Sequence, residues 1–125
     1  MYIHDYDPAY YPAIPVVMLG IGLIRNDIPL TIVGLVDSGA DATMIPVSYL
    51  QELGALPDEE KWLKSVTGER VMVELYPVFL QIGDYGLYTS VIGDETGNEV
   101  IVGRDVLNQF IVTLNGLASV VEISQ

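Results

Sequence analysis

The chain has 125 residues, which suits one domain built around a single modest core. Seventeen Asp and Glu stand against five Lys and Arg, a net charge of −12 that argues against binding nucleic acid phosphates or an anionic membrane. There is no cysteine, so disulfide and thiol chemistry are excluded.

Residues 1–13, "MYIHDYDPAYYPA", form an N-terminal extension. It is acidic and lacks the basic start and apolar middle of a secretory signal. Pro8, Pro12 and Pro15 interrupt regular pairing, and Tyr2, Tyr6, Tyr10 and Tyr11 punctuate the segment. We expect a loosely packed arm; the alternative is an arm that lays its rings on a partner subunit. The longest apolar run, Val16 to Ile24, is too short for a membrane-spanning helix. A cytoplasmic location is the expectation.

From Val16 onward the chain reads as mostly β. "VVMLGIGLI" and "PLTIVGLV" are apolar and β-branched, with "RND" as the turn between them. After Pro46, Val47 to Leu53 suit two helical turns, with Gly54 as the stop. "KWLKSV" and "ERVMVELY" form a hairpin around Thr67 and Gly68. "PVFLQIG" and "LYTSVIG" form another through "DYG". "DETGNE" is a polar loop without the spacing of a calcium site, and "VIVG" is a short buried strand. "RDVLNQF" suits a short helix, and "FIVTLNG" with "ASVVEIS" closes the chain as a last hairpin. Many short strands with frequent turns predict an all-β, closed or sandwiched fold.

The chemistry lies in "LVDSGADATMIP", residues 35–46. Asp37 follows an apolar strand that belongs in the interior, where an unpaired carboxylate costs several kcal/mol. Asp-Ser-Gly alone is ordinary turn chemistry. Gly39, however, lets the backbone turn tightly beside the carboxylate, and Ala40 keeps the volume small. Asp41 adds a second acid in an apolar setting. Of the five cations, only Arg104 is embedded among apolar residues, between "VIVG" and "VLNQF". A guanidinium fork suits a carboxylate, so an Asp41–Arg104 pair is expected to tie the acidic loop to the short helix.

The order Asp-Ser-Gly-Ala-Asp-Ala-Thr, then apolar-apolar-Gly-Arg-Asp-apolar-Leu, resembles the retropepsins: the retroviral and retrotransposon aspartic proteases and their cellular relatives. The resemblance covers residues 14–125. It implies a small closed β-barrel with one short C-terminal helix and a flap hairpin, paired as a homodimer. The family's catalytic triplet falls on Asp37, Ser38 and Gly39, and its Gly-Arg on Gly103 and Arg104. The implied substrate contacts are Ala40 and Asp41 on the loop, and Val66, Thr67, Gly68 and Glu69 at the flap tip. The flap itself falls on Trp62 to Tyr76, with Trp62 expected to pack at its base. No metal and no cofactor are implied; the only histidine, His4, lies in the extension.

The motif occurs once, and Asp41 is engaged by Arg104 in this reading. A second Asp37, from a second chain, is therefore needed for the two carboxylates of aspartic hydrolysis. Ser38 of each chain would bond across the axis. The flap tip "SVTGERV" has one glycine and two charges, unlike the glycine-rich retroviral flaps, and Ala42 stands where the family often has a further acid. The tail beyond the short helix is longer than the retroviral one, so the dimer contacts are expected to differ. An aspartic endopeptidase acting on polypeptide is the leading reading. A non-catalytic retropepsin-like module for peptide binding or dimerisation is the alternative, and an acidic β-barrel binding module is the third.

Overall fold

A computed structural model describes residues 1–65 and 67–125. Strands β2 (Val16–Gly22) and β3 (Leu30–Val36) pair antiparallel from Val16↔Leu35 to Ile21↔Leu30. The "RND" turn between them holds Asn26 at φ 69°, a left-handed position that asparagine tolerates. β3 then pairs in parallel with β8 (Val100–Val102), sixty-odd residues later, in the register Val36↔Val102. β4 (Met44–Pro46) lies beside β8 on one side and pairs in parallel with β7 (Tyr85–Asp94) on the other.

β7 forms a long antiparallel hairpin with β6 (Arg70–Ile82), and β6 reaches β2 at Ile21↔Leu80. That last pairing closes the order β2-β3-β8-β4-β7-β6 on itself, giving a six-stranded barrel. The side chains that alternate inward, among them Leu19, Ile21, Ile45, Leu80, Ile82 and Val91, are fully buried in one core.

β6 is one continuous strand where two were expected, divided before Pro77. Proline has no N–H to give a sheet. β5 (Glu59–Lys64) covers one edge of β6 as far as Leu75, and β2 covers that edge again from Phe79. Pro77 falls in the gap between those two partners, so the strand runs through it without an orphaned bond.

Helix α1 (Val47–Leu53) anchors itself through the buried Leu50. It ends as expected at Gly54, whose φ of 77° makes the left-handed stop and whose N–H caps Gln51. The second helix among the described residues, α2 (Arg104–Leu107), is a single turn, shorter than the expected span.

β9 (Ile111–Asn115) and β10 (Val120–Ser124) form the closing hairpin. The N-terminus corrects the expectation of a loose arm: β1 (Tyr2–Asp5) pairs with β10 in the register Tyr2↔Ile123. The Tyr2 hydroxyl accepts a bond from the Met18 N–H at 2.9 Å, and its ring rests on Gly83. The result is a three-stranded sheet, β1-β10-β9, with β9 at its edge.

Candidate active site

Asp37 is the first residue after β3. Its N–H donates to the Val102 carbonyl at 3.0 Å, which prolongs the β3–β8 pairing by one bond. The chain then turns: the Ala40 N–H donates to the Asp37 carbonyl at 3.2 Å, and the Gly39 N–H donates to Asp37 Oδ1 at 2.9 Å. The carboxylate is thereby aimed by its own loop. The loop itself is exposed, and Asp37 faces solvent in the single chain rather than the interior that its strand led us to expect.

Arg104 begins α2 and grips the same loop at three points. Its backbone N–H donates to the Ala40 carbonyl at 2.9 Å, and Nη1 donates to the Ser38 carbonyl at 2.8 Å. Nη2 forms the ion pair with the Asp41 carboxylate, as the residue types predicted. Burial differs from expectation, however. The Arg104 side chain is 43% exposed and that of Asp41 90%. α2 is one turn long and covers only part of the guanidinium.

Beneath this surface pair lies a buried polar knot that the sequence reading missed. Thr43 is fully buried. Its hydroxyl donates to Asp105 Oδ1 at 2.7 Å and accepts the Gly103 N–H at 3.1 Å. The Thr43 N–H donates to both carboxylate oxygens of Asp105, at 3.0 and 3.1 Å, and the Val106 N–H adds a further bond at 2.8 Å. Asp105 thus bridges the acidic loop and the start of α2. Gly103 sits between them so tightly that a Cβ would lie 2.6 Å from the Ala42 carbonyl carbon. The available signal was the Asp that directly follows Gly-Arg; an acid there needs donors, and Thr43 is the uncharged polar residue that follows Asp-Ser-Gly-Ala-Asp-Ala.

The expected flap is the β5–β6 hairpin, paired from Glu59↔Leu75 to Lys64↔Arg70. At its tip the Ser65 N–H donates to the Glu69 carbonyl at 2.8 Å, and Gly68 takes φ 87°. Thr67, Gly68 and Glu69 are all exposed there, and none bonds to the Asp37 loop among the described residues. Val66 lies outside the described residues. Trp62 is 53% exposed rather than packed at the base, with the Arg70 guanidinium 5.5 Å over its ring.

A family model for "Retroviral aspartyl protease" matches residues 12–115, most of the chain. The chain belongs to the retroviral aspartyl protease family. No curated protein matches it. Among solved structures it is similar to the protease of EIAV, complexed with the inhibitor HBY-793, at a TM-score of 0.58 and 21% identity, covering 77% of this chain and 86% of that one. The retroviral protease-like domain of Ddi1 from Leishmania major gives a TM-score of 0.61 at 17% identity, with 90% and 89% covered. The foamy viral protease-reverse transcriptase, in complex with double-stranded DNA, gives 0.53 at 18% identity; 78% of this chain matches 16% of that much longer one. At these identities the structural matches speak for the fold. The family's closed barrel is the one described above, and within it the Asp-Ser-Gly loop and the Gly-Arg turn meet.

Proposed function

We propose that the chain is an aspartic endopeptidase, active as a homodimer to which each chain contributes one Asp37. The observation that carries this reading is the contrast between the two acids of the loop. Asp41 is paired with Arg104, while Asp37 is exposed, held in place by Gly39, and has no cation within ion-pair distance among the described residues. A fixed, unneutralised carboxylate at a mouth shared with a second copy is half of a dyad.

In the dimer one Asp37 carboxylate takes a proton from water as the water oxygen attacks the peptide carbonyl carbon. The other Asp37, protonated, gives its proton to the carbonyl oxygen, and a gem-diol forms. The first carboxyl then protonates the amide nitrogen as the C–N bond breaks, and the hydroxyl proton returns to the second carboxylate. Ser38 holds the two loops together across the axis. Ala40, Asp41 and the flap-tip residues Val66, Thr67, Gly68 and Glu69 bind the extended substrate main chain, which lies as an added strand.

The outer edge of β9 supports the dimer. It is the last strand of its sheet, with Ile111 and Leu114 exposed on it and Leu117 fully exposed in the turn beyond. β9 carries no charged residue or proline to protect that edge, and a second β9 across a two-fold axis would pair it. The test is cleavage of a peptide library below neutral pH, blocked by a statine-type inhibitor and lost in Asp37→Asn with the fold retained. A folded, dimeric wild type that binds peptides without cleaving any favours the non-catalytic module instead.

A further inference from the structure

From Leu75 onward β6 has β7 beside it, but from Arg70 to Glu74 it pairs with β5 alone. There the hairpin stands as a two-stranded ribbon with two faces. Residues directly opposed across the strands share a face, and so do residues two apart along a strand. One face therefore carries three cross-strand pairs, from base to tip Glu60↔Glu74, Trp62↔Met72 and Lys64↔Arg70. Trp62 and Met72 are both exposed, and the Arg70 guanidinium lies 5.5 Å over the Trp62 ring.

Both charged pairs set like beside like, which repels and weakens the ribbon. Nothing within the chain offsets that repulsion with an ion pair: Arg104–Asp41 is the sole ion pair among the described residues. The rise of a strand puts the acidic pair and the basic pair about 14 Å apart, with Trp62 and Met72 midway. Along its length the face thus reads negative, apolar, positive.

Such a face complements a copy of itself. Two faces can meet about a two-fold axis in two ways. An axis along the strands sets acids on acids and bases on bases. An axis across the strands, at the level of Trp62 and Met72, sets Glu60 of each copy against Lys64 of the other and Glu74 against Arg70. Trp62 then meets Trp62 and Met72 meets Met72 at the centre, and four opposite-charge contacts surround the apolar pair. We infer that this face of the flap hairpin binds the same face of a second copy, head to tail, through an interface separate from the β9 edge. The inference goes beyond the proteolytic reading and holds whether or not the chain cleaves peptides. Added to a β9-linked dimer, the contact joins two dimers flap to flap.

Six side chains from each copy make a small contact, so the association is weak and is sought at protein concentrations on the order of 100 μM. Sedimentation of the full chain at low salt should show a doubling in mass, of the β9 dimer in the wild type and of the single chain in Leu114→Lys. The doubling should vanish near 1 M salt, where exposed charges are screened. Glu60→Lys/Glu74→Lys makes the face wholly basic, and Lys64→Glu/Arg70→Glu makes it wholly acidic. Each protein alone should lose the doubling, and an equimolar mixture of the two should regain it, because each face now complements the other. Trp62→Ser, which keeps all four charges, should weaken the association about tenfold. Circular dichroism confirms that each variant is folded. A wild type that never doubles at low salt overturns the inference, as does a doubling that survives both charge reversals. Folded variants that each lose the doubling and fail to regain it when mixed overturn it too.

Discussion

Arg104 and Thr43 join the same loop to the same helix, but they do so in different surroundings. The Arg104–Asp41 pair lies largely in solvent, where an ion pair contributes about 0–1 kcal/mol. Thr43 is fully buried, and replacing it by valine strands the Gly103 N–H and removes one donor from Asp105. An unsatisfied buried group costs about 1–3 kcal/mol. Thr43→Val should therefore destabilise the chain more than Arg104→Ala does, as read by urea unfolding at one fixed protein concentration. An Arg104→Ala protein that loses several kcal/mol, beside a neutral Thr43→Val, reverses the assignment. The ion pair itself was legible from residue types, because only one of five cations had an apolar setting. Its exposure was not, since burial depends on how much neighbouring chain covers the site and α2 proved to be one turn long. The Thr43–Asp105 knot was illegible for a related reason: a threonine in an apolar run shows no partner until the chain sixty residues on is folded against it.

At the scale of elements, periodicity and turn residues located most strands, the flap hairpin, and α1 with its Gly54 stop. Three elements escaped, the first being β4, whose three residues are too few for a periodic pattern to show. β6 runs through Pro77 because its partner on one edge changes there, a tertiary fact with no local signature. β1 was obscured by the prolines that follow it, although its own residues, Tyr2–Asp5, are free of proline. Tyr2 ties this strand to the barrel through Met18 and Gly83. Tyr2→Ala should cost about 2 kcal/mol, combining a lost bond with lost aromatic packing. Thermal melts check this. A melting temperature equal to wild type means that β1 adds nothing to the fold and the loose arm was the better reading.

For the molecule as a whole, the barrel's closure rests on β2 meeting β6, a pairing between residues about sixty apart that no local pattern announces. The family motifs reached it only by resemblance. The proposed dimer carries its own consequences. Leu114→Lys places a charge on the β9 edge and should shift the protein towards monomer in sedimentation, with specific activity falling in parallel. Full specific activity in a demonstrably monomeric Leu114→Lys protein contradicts half-site catalysis. Because the dyad works with one shared proton, the rate should follow a bell-shaped pH profile centred below neutrality. A rate that climbs steadily into the alkaline range points to different chemistry.

The central claim is that one Asp37 comes from each of two chains, and mixed dimers test it most directly. Wild-type protein is refolded together with about a tenfold excess of Asp37→Asn chains, above the dimer dissociation constant, and cleavage is measured per wild-type chain. If each site needs both aspartates, nearly every wild-type chain is trapped in a dead heterodimer, and activity per wild-type chain falls about tenfold. Activity per wild-type chain that stays constant across the mixture shows that one Asp37 suffices, and the shared dyad is wrong.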